Sequence, residues 1–86
     1  MVLVKKLVLD VLKPHSPNTL EFATALADQG PGYRVNITVA EVDEKTETVL
    51  ITIEGDNISF DSINNTINTL GGSLHSIDEV DVVHRP

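Results

Sequence analysis

The sequence predicts an α+β domain in which two helices cover one face of a four-stranded antiparallel sheet. In the stretch 36–55, apolar and polar residues alternate through two runs that a short charged turn, Asp43–Thr46, joins. Alternation with β-branched residues is typical of a half-buried antiparallel hairpin. Two further segments, 19–29 and 60–70, repeat apolar residues every three or four positions, which favours amphipathic helices.

The first strand is predicted over Val2–Leu12, and Pro14 and Pro17 end it because proline cannot donate to a strand ladder. Its core-facing side chains are Leu7, Leu9 and Val11. Asp10 falls on the opposite face in the middle of the strand, where aspartate is unusual.

Polar residues mark the start of both helices. Ser16 with Pro17 at the first helical position is one start for the first helix, and Asn18 with Glu21 as a capping box is the alternative. Ser59 is expected to cap the second helix. The residues expected to be buried by the first helix are Leu20, Phe22, Ala23, Leu26 and Ala27, and by the second Phe60, Ile63, Ile67 and Leu70.

The last strand is predicted over about 73–83, and its facing is ambiguous. Leu74, Val80 and Val82 have even numbers and would face one side of the sheet, whereas Ile77 and Val83 have odd numbers and would face the other. A β-bulge between them would bring the two groups to the same face. The resulting order, β-α-β-β-α-β, predicts a single ferredoxin-like domain over residues 1–86. Two helices cover only one sheet face, so the other is solvated or buried against another subunit.

Composition excludes several function classes. The 86 residues carry a formal net charge of −7 and include no cysteine and no tryptophan. Disulfides, thiolate zinc sites, iron–sulfur clusters and cysteine nucleophiles are therefore excluded. A nucleic-acid partner is not expected, because phosphate binding requires clustered lysine and arginine. The first residues lack the pattern of a signal peptide or membrane span, so we expect no membrane partner and a cytoplasmic protein.

Three blocks of the chain, Val8–Pro17, Asn36–Gly55 and Gly71–Val80, together resemble a largely archaeal family of unknown function, DUF211. The resemblance covers nearly the whole chain. It implies a ferredoxin-like fold and a homo-oligomer. It implies no established activity, and no catalytic residues can be carried over from it.

A weak cation site is the first candidate for chemistry. Asp10 lies on the face that the helices leave open, and an antiparallel partner near Ile77 or Asp78 would bring Asp10, Asp78 and Glu79 together. Carboxylate oxygens are the ligands that Ca²⁺ and Mg²⁺ prefer. The alternative is that Asp10 is solvated or hydrogen-bonded to Thr52, with Asp78 and Glu79 simply on the surface.

A transition-metal site is the second candidate. If strand three runs parallel to strand one, then Glu54 and Asp56 at its end meet His15 and His75 at one edge of the sheet. Imidazole and carboxylate ligands suit transition metals. The alternative is that both histidines lie in exposed loops.

The absence of a nucleophile motif or a phosphate-binding loop predicts that the protein is not an enzyme. Two classes remain: an oligomeric binding or regulatory module that takes Ca²⁺ or Mg²⁺, and a purely structural assembly protein without a ligand. Both use the open sheet face, whose apolar residues are expected to be Val8, Leu12, Ala40, Val42 and Leu50. An apolar patch of this kind favours a homo-oligomer.

Overall fold

The computed structural model describes all residues, 1–86. Its elements are β1 (Val2–Pro14), α1 (Thr19–Ala27), β2 (Arg34–Val42), β3 (Thr46–Glu54), α2 (Phe60–Thr69) and β4 (Ser73–His84). The strands lie in the order β2-β3-β1-β4, and each neighbouring pair is antiparallel. The ferredoxin-like α+β fold is thereby confirmed. Neither helix is long and apolar enough to cross a membrane.

The direction of β3 differs from the one used to predict the transition-metal site. β3 runs antiparallel to β1, so that Glu54 lies opposite Lys6 and Thr46 lies opposite Pro14. The crossover through α1 makes β2 parallel to β1, and the β2–β3 hairpin then reverses the chain. The end of β3 therefore lies beside the start of β1, and Glu54 is at the opposite end of β1 from His15.

The core lies between the sheet and the two helices. Its eleven buried residues are Leu7, Leu9, Val11, Phe22, Leu26, Val49, Ile51, Ile53, Ile58, Ile63 and Ile67. The predicted core face of β1 is thus confirmed, and the alternation predicted for the hairpin places Val49, Ile51 and Ile53 of β3 in the same core. Leu20 was wrongly predicted to be buried and is 76% exposed. It lies two positions, or about 200° of helix rotation, before Phe22, which places it on the opposite side of α1.

The start of α1 follows the capping-box alternative. The Glu21 N–H donates to Asn18 Oδ1 (2.9 Å), and the Asn18 N–H donates to Glu21 Oε1 (3.2 Å). Each side chain therefore satisfies a backbone donor that the first helical turn leaves unpaired. Ser59 caps α2 as predicted, because its Oγ accepts from the Ser62 N–H at 3.3 Å.

Bulges resolve the facing of β4. One extra residue on β4 lies at Asp78 and another at His75, where the register with β1 shifts. Directly opposite residues of an antiparallel pair share a face. The register places Leu74, Ile77, Val80 and Val82 opposite Val11, Leu9, Leu7 and Val4. These four apolar residues of β4 therefore all lie on the helix side, as the predicted bulge allows. Leu74 packs against the core, whereas the other three lie beyond it and are about half exposed.

Candidate functional site

The sheet face opposite the helices, here called the open face, mixes apolar and polar side chains. Leu12 and Leu50 are exposed on it by 42% and 38%. The register places on the open face Val8, Asp10 and Leu12 of β1, Thr48, Leu50 and Thr52 of β3, Asn36 and Thr38 of β2, and Ser76 and Glu79 of β4. Val8, Leu12 and Leu50 were predicted correctly.

One residue of β2, Val42, was wrongly predicted to lie on the open face. A register shift between Val39 and Glu41 makes Ala40 an extra residue of the strand. After the shift, Val42 lies opposite Glu47, which shares the helix-side parity of Val49. A bulge reverses the facing of every later residue in its strand, so the alternation could not be extended past Val39.

An open depression of ≈ 250 Å³ lies on the open face, and Asp10, Leu12, Thr48 and His75 line it. Three neighbouring strands build it. Leu12 of β1 lies directly opposite Thr48 of β3, and His75 is the extra residue where β4 shifts between its pairs with Asp10 and Val11. The bulge residue His75 therefore lines the same depression as the Asp10 carboxylate.

Asp10 is the partly buried carboxylate of this depression. The ion pairs of the chain join other carboxylates to other cations, so that no lysine or arginine neutralises Asp10. The expected alternative partner, Thr52, lies opposite Val8 instead, and no hydrogen bond joins it to Asp10. The depression thus offers a carboxylate, a hydroxyl and an imidazole to a ligand.

The other two predicted ligands, Asp78 and Glu79, are each engaged elsewhere. Glu79 Oε2 lies 2.9 Å from Lys6 Nζ, and this hydrogen bond raises the pKa of Lys6. Asp78 Oδ1 accepts from Ser76 Oγ at 2.6 Å. No three Asp, Glu, His or Cys side chains of the chain are grouped as a metal would require. A single chain therefore does not bring Asp10, Asp78 and Glu79 together as one three-carboxylate site.

The predicted grouping of His15 with Glu54 or Asp56 is wrong, because β3 is antiparallel to β1. Asp56 accepts instead from Lys5 Nζ at 2.6 Å, and this contact lowers the pKa of Asp56. His15 contacts the other end of β3, with its Nδ1 2.9 Å from Glu47 Oε2. The two histidines thus belong to different sites: His75 to the open-face depression and His15 to the helix side of the sheet.

Sequence reasoning missed the cluster on the helix side, which comprises Lys13, His15 and Glu47. The Lys13 side chain is fully buried, and its Nζ donates to the Pro14 carbonyl (2.8 Å) and to Glu47 Oε1 (3.2 Å). Its ammonium also lies 5.7 Å from the centre of the Phe22 ring, within the range of a cation–π contact. The signal was present in the sequence, because Lys13 continues the core-facing parity of Leu9 and Val11.

Hydrogen bonds shift two pKa values in this cluster in opposite directions. The bond from His15, followed by that from Lys13, lowers the pKa of Glu47 below its ordinary 4.5. The bond to Glu47, followed by that to the Glu44 carbonyl, raises the pKa of His15 above its ordinary 6.5. Opposite charges that share hydrogen bonds favour the charged form of each partner.

Comparison with known proteins places the chain in a family. The model of the DUF211 family, described as "Uncharacterized ArCR", matches residues 5–85. The chain is 49% identical over 77 residues to "Uncharacterized protein MJ0319" of Methanocaldococcus jannaschii, an alignment that covers 90% of this chain and 79% of the relative. The match spans β1 to β4, including every residue of the open-face depression. The chain therefore belongs to the DUF211 family.

Proposed function

We propose that the protein is a small homo-oligomeric binding module that takes a divalent cation, Ca²⁺ or Mg²⁺, at the open-face depression. The observation that carries the proposal is Asp10, a partly buried carboxylate that no cation of the chain neutralises. Removing a carboxylate from water is unfavourable unless a counter-charge is supplied. A bound cation would supply it.

The chain alone offers too few ligands for tight binding. Ca²⁺ takes about six to eight oxygen ligands and Mg²⁺ six, whereas the depression offers the Asp10 carboxylate and the Thr48 hydroxyl. Asp78 and Glu79 would join only by leaving Ser76 and Lys6. Water and a second copy of the chain, seated on the open face, would complete the coordination.

The composition of the open face supports a second copy as its partner. Leu12 and Leu50 expose apolar surface there among threonine and asparagine side chains. A patch that mixes apolar and polar groups suits a subunit interface. The net charge of −7 makes copies of the chain repel each other. Apolar burial, with a cation beside Asp10, would offset that repulsion.

Catalysis is not part of the proposal. The only histidine that contacts a carboxylate is His15, and both of its ring nitrogens are occupied, by Glu47 and by the Glu44 carbonyl. It has no free nitrogen with which to activate a nucleophile. Substrate turnover that disappears on Asp10→Ala or His75→Ala would contradict this part of the proposal.

The first prediction concerns cation binding. Titration calorimetry with Ca²⁺ and Mg²⁺ is expected to give heat with a defined stoichiometry. Asp10→Asn is expected to weaken the affinity by roughly 100-fold or more, since even residues that only support metal ligands contribute about 10- to 100-fold. The matched control is Asp61→Asn, which changes an exposed carboxylate on α2 and should leave binding intact.

Zinc distinguishes the two metal chemistries of the depression. If the imidazole of His75 is a ligand, Zn²⁺ binds and His75→Gln abolishes its binding while Ca²⁺ binding persists. If Ca²⁺, Mg²⁺ and Zn²⁺ all give no heat, the cation proposal is wrong.

The second prediction concerns assembly. Light scattering is expected to give a mass above the 9.3 kDa of one chain, and the mass or the thermal stability should rise in millimolar Ca²⁺ and fall with chelator. Leu50→Lys is expected to dissociate the assembly, because it places a charge in the apolar patch of the open face. Leu20→Lys is the control, since Leu20 is 76% exposed on α1. A monomer under all conditions would contradict the proposal.

A purely structural assembly protein is the second candidate. It is favoured by the engagement of Asp78 and Glu79 within the chain and by the lack of three grouped ligands. The two candidates differ in one result. If Leu50→Lys dissociates the oligomer but no cation changes its mass or thermal stability, the proposed interface is supported and the proposed metal site is contradicted.

A further inference from the structure

His15 lies between two hydrogen-bond acceptors. Its Nδ1 is 2.9 Å from Glu47 Oε2, and its Nε2 is 3.0 Å from the carbonyl oxygen of Glu44. A carbonyl oxygen can only accept, and an ionised carboxylate can only accept. Glu47 is held ionised because its other oxygen accepts from the buried Lys13 ammonium. Both ring nitrogens of His15 must therefore donate, which only the protonated imidazolium does.

These two bonds join segments that are far apart in the sequence. His15 follows the end of β1, Glu47 belongs to β3, and Glu44 lies in the turn of the β2–β3 hairpin. We propose that His15, Glu47 and the Glu44 carbonyl form a proton-dependent latch that fastens the hairpin turn to the end of β1. When His15 loses a proton, one of the two bonds loses its donor, so that His15 separates either from the Glu44 carbonyl of the turn or from Glu47 of β3.

The charged groups around His15 act in both directions. Glu47 of β3 favours the imidazolium through its hydrogen bond and its charge, and the backbone of Glu44 and, more weakly, of Asp43 favours it through hydrogen bonds. Partial desolvation of the ring opposes the imidazolium, and Lys13 of β1, which shares Glu47 with His15, carries a charge of the same sign. The acidic residue of the first turn of α1, Glu21, is bound to its own N-cap. The favourable groups prevail, since the pKa of His15 is raised.

The signs of the two pKa shifts define when the latch is closed. A raised pKa of His15 means that its contribution is present below its ordinary value of 6.5 and is lost as the pH rises through the folded-state value. A lowered pKa of Glu47 means that its contribution is present above its ordinary value of 4.5 and is lost as the pH falls through the folded-state value. The latch is therefore complete between these ordinary values and opens as the pH rises through the raised pKa of His15.

Nuclear magnetic resonance tests the latch in the unaltered protein. The ring signals of the three histidines are followed with pH, together with the exchange of the Asp43 amide, which donates to the Thr46 carbonyl within the turn (2.8 Å). After correction for intrinsic base catalysis, protection of this amide is expected to fall about 5-fold as His15 deprotonates, as for the loss of one ordinary hydrogen bond. A His15 midpoint below 6.5, or protection that is constant through the His15 titration, would overturn the latch.

Two variants assign the effect to the latch. His15→Gln is expected to remove the pH step in turn protection, and Glu47→Gln is expected to lower the midpoint of His15. The matched control is His84→Gln, because His84 lies at the exposed end of β4 and makes no ion pair. A step that survives His15→Gln, or that disappears in His84→Gln, would contradict the assignment.

Discussion

Replacing Glu47 with leucine is expected to lower the thermal midpoint by more than about 10 °C. The Lys13 side chain is fully buried, and its ammonium has two oxygen partners, Glu47 Oε1 and the Pro14 carbonyl. Without Glu47 the charge stays in the interior with one neutral acceptor and the ring of Phe22. An uncompensated buried charge is among the most destabilising changes a small domain can undergo. Differential scanning calorimetry at pH 6, where the cluster is fully charged, measures the effect.

A double-mutant cycle separates the charge from the shape of the side chain. Lys13→Met is expected to lower the stability much less than Glu47→Leu, because Glu47 keeps its bond from His15 and its contact with solvent. In the variant with both substitutions the buried charge is gone, and most of the lost stability should return. The control is Glu54→Leu, an exposed glutamate of the same strand. Strictly additive effects of the two substitutions would show that the buried pair is not coupled.

Periodicity predicted which residues of the central strands face the core, and it did so because burial alone sets that pattern. Leu7 to Val11 and Val49 to Ile53 alternate without interruption, and both series are buried. The direction of one strand relative to another has no such signature, since a strand read in either direction has the same alternation. The orientation of β3 follows from the connections, and an error there misplaced Glu54 and Asp56.

Bulges set the second limit on prediction. Each inserts one residue and reverses the facing of all that follow, so Val42 could not be placed from sequence and β4 stayed ambiguous. The candidate site includes such a bulge. Asp10 could be placed on the open face by alternation alone, whereas the facing of His75 could not, because the register of β4 shifts there, between its pairs with Asp10 and Val11.

Lys13 shows a third limit. Its parity indicates the core and its charge indicates the surface, and these two signals conflict. The conflict is resolved by a partner 34 residues away, Glu47, whose position depends on the register of β3. Local patterns do not encode such a pairing, although a charged residue on a core parity indicates where a buried partner should be sought.

Replacing Phe22 with alanine is expected to lower the free energy of unfolding by about 3–5 kcal/mol. Phe22 of α1 is fully buried in the core cluster, and the centre of its ring lies 5.7 Å from the Lys13 ammonium. A loss of this size is a large part of the stability of a small domain, which is about 5–15 kcal/mol. Urea unfolding followed by circular dichroism measures it. Leu20→Ala on the same helix is the control, with an expected change within about 0.5 kcal/mol, because Leu20 is exposed.

The space around Phe22 allows a sharper version of this test at Gly72. A Cβ at Gly72 would lie 3.2 Å from the Phe22 ring and 3.0 Å from Ile67 Cγ2. Gly72→Ala alone is therefore expected to destabilise by overpacking, by about 1–3 kcal/mol. In a Phe22→Leu background the contact with the ring is gone, and the methyl group added at Gly72 would fill part of the space that the ring vacates. Gly72→Ala is therefore expected to destabilise the Phe22→Leu variant less than the unaltered protein. An equal effect of Gly72→Ala in both backgrounds would show that the contact with Ile67, and not the Phe22 ring, excludes a side chain at this position.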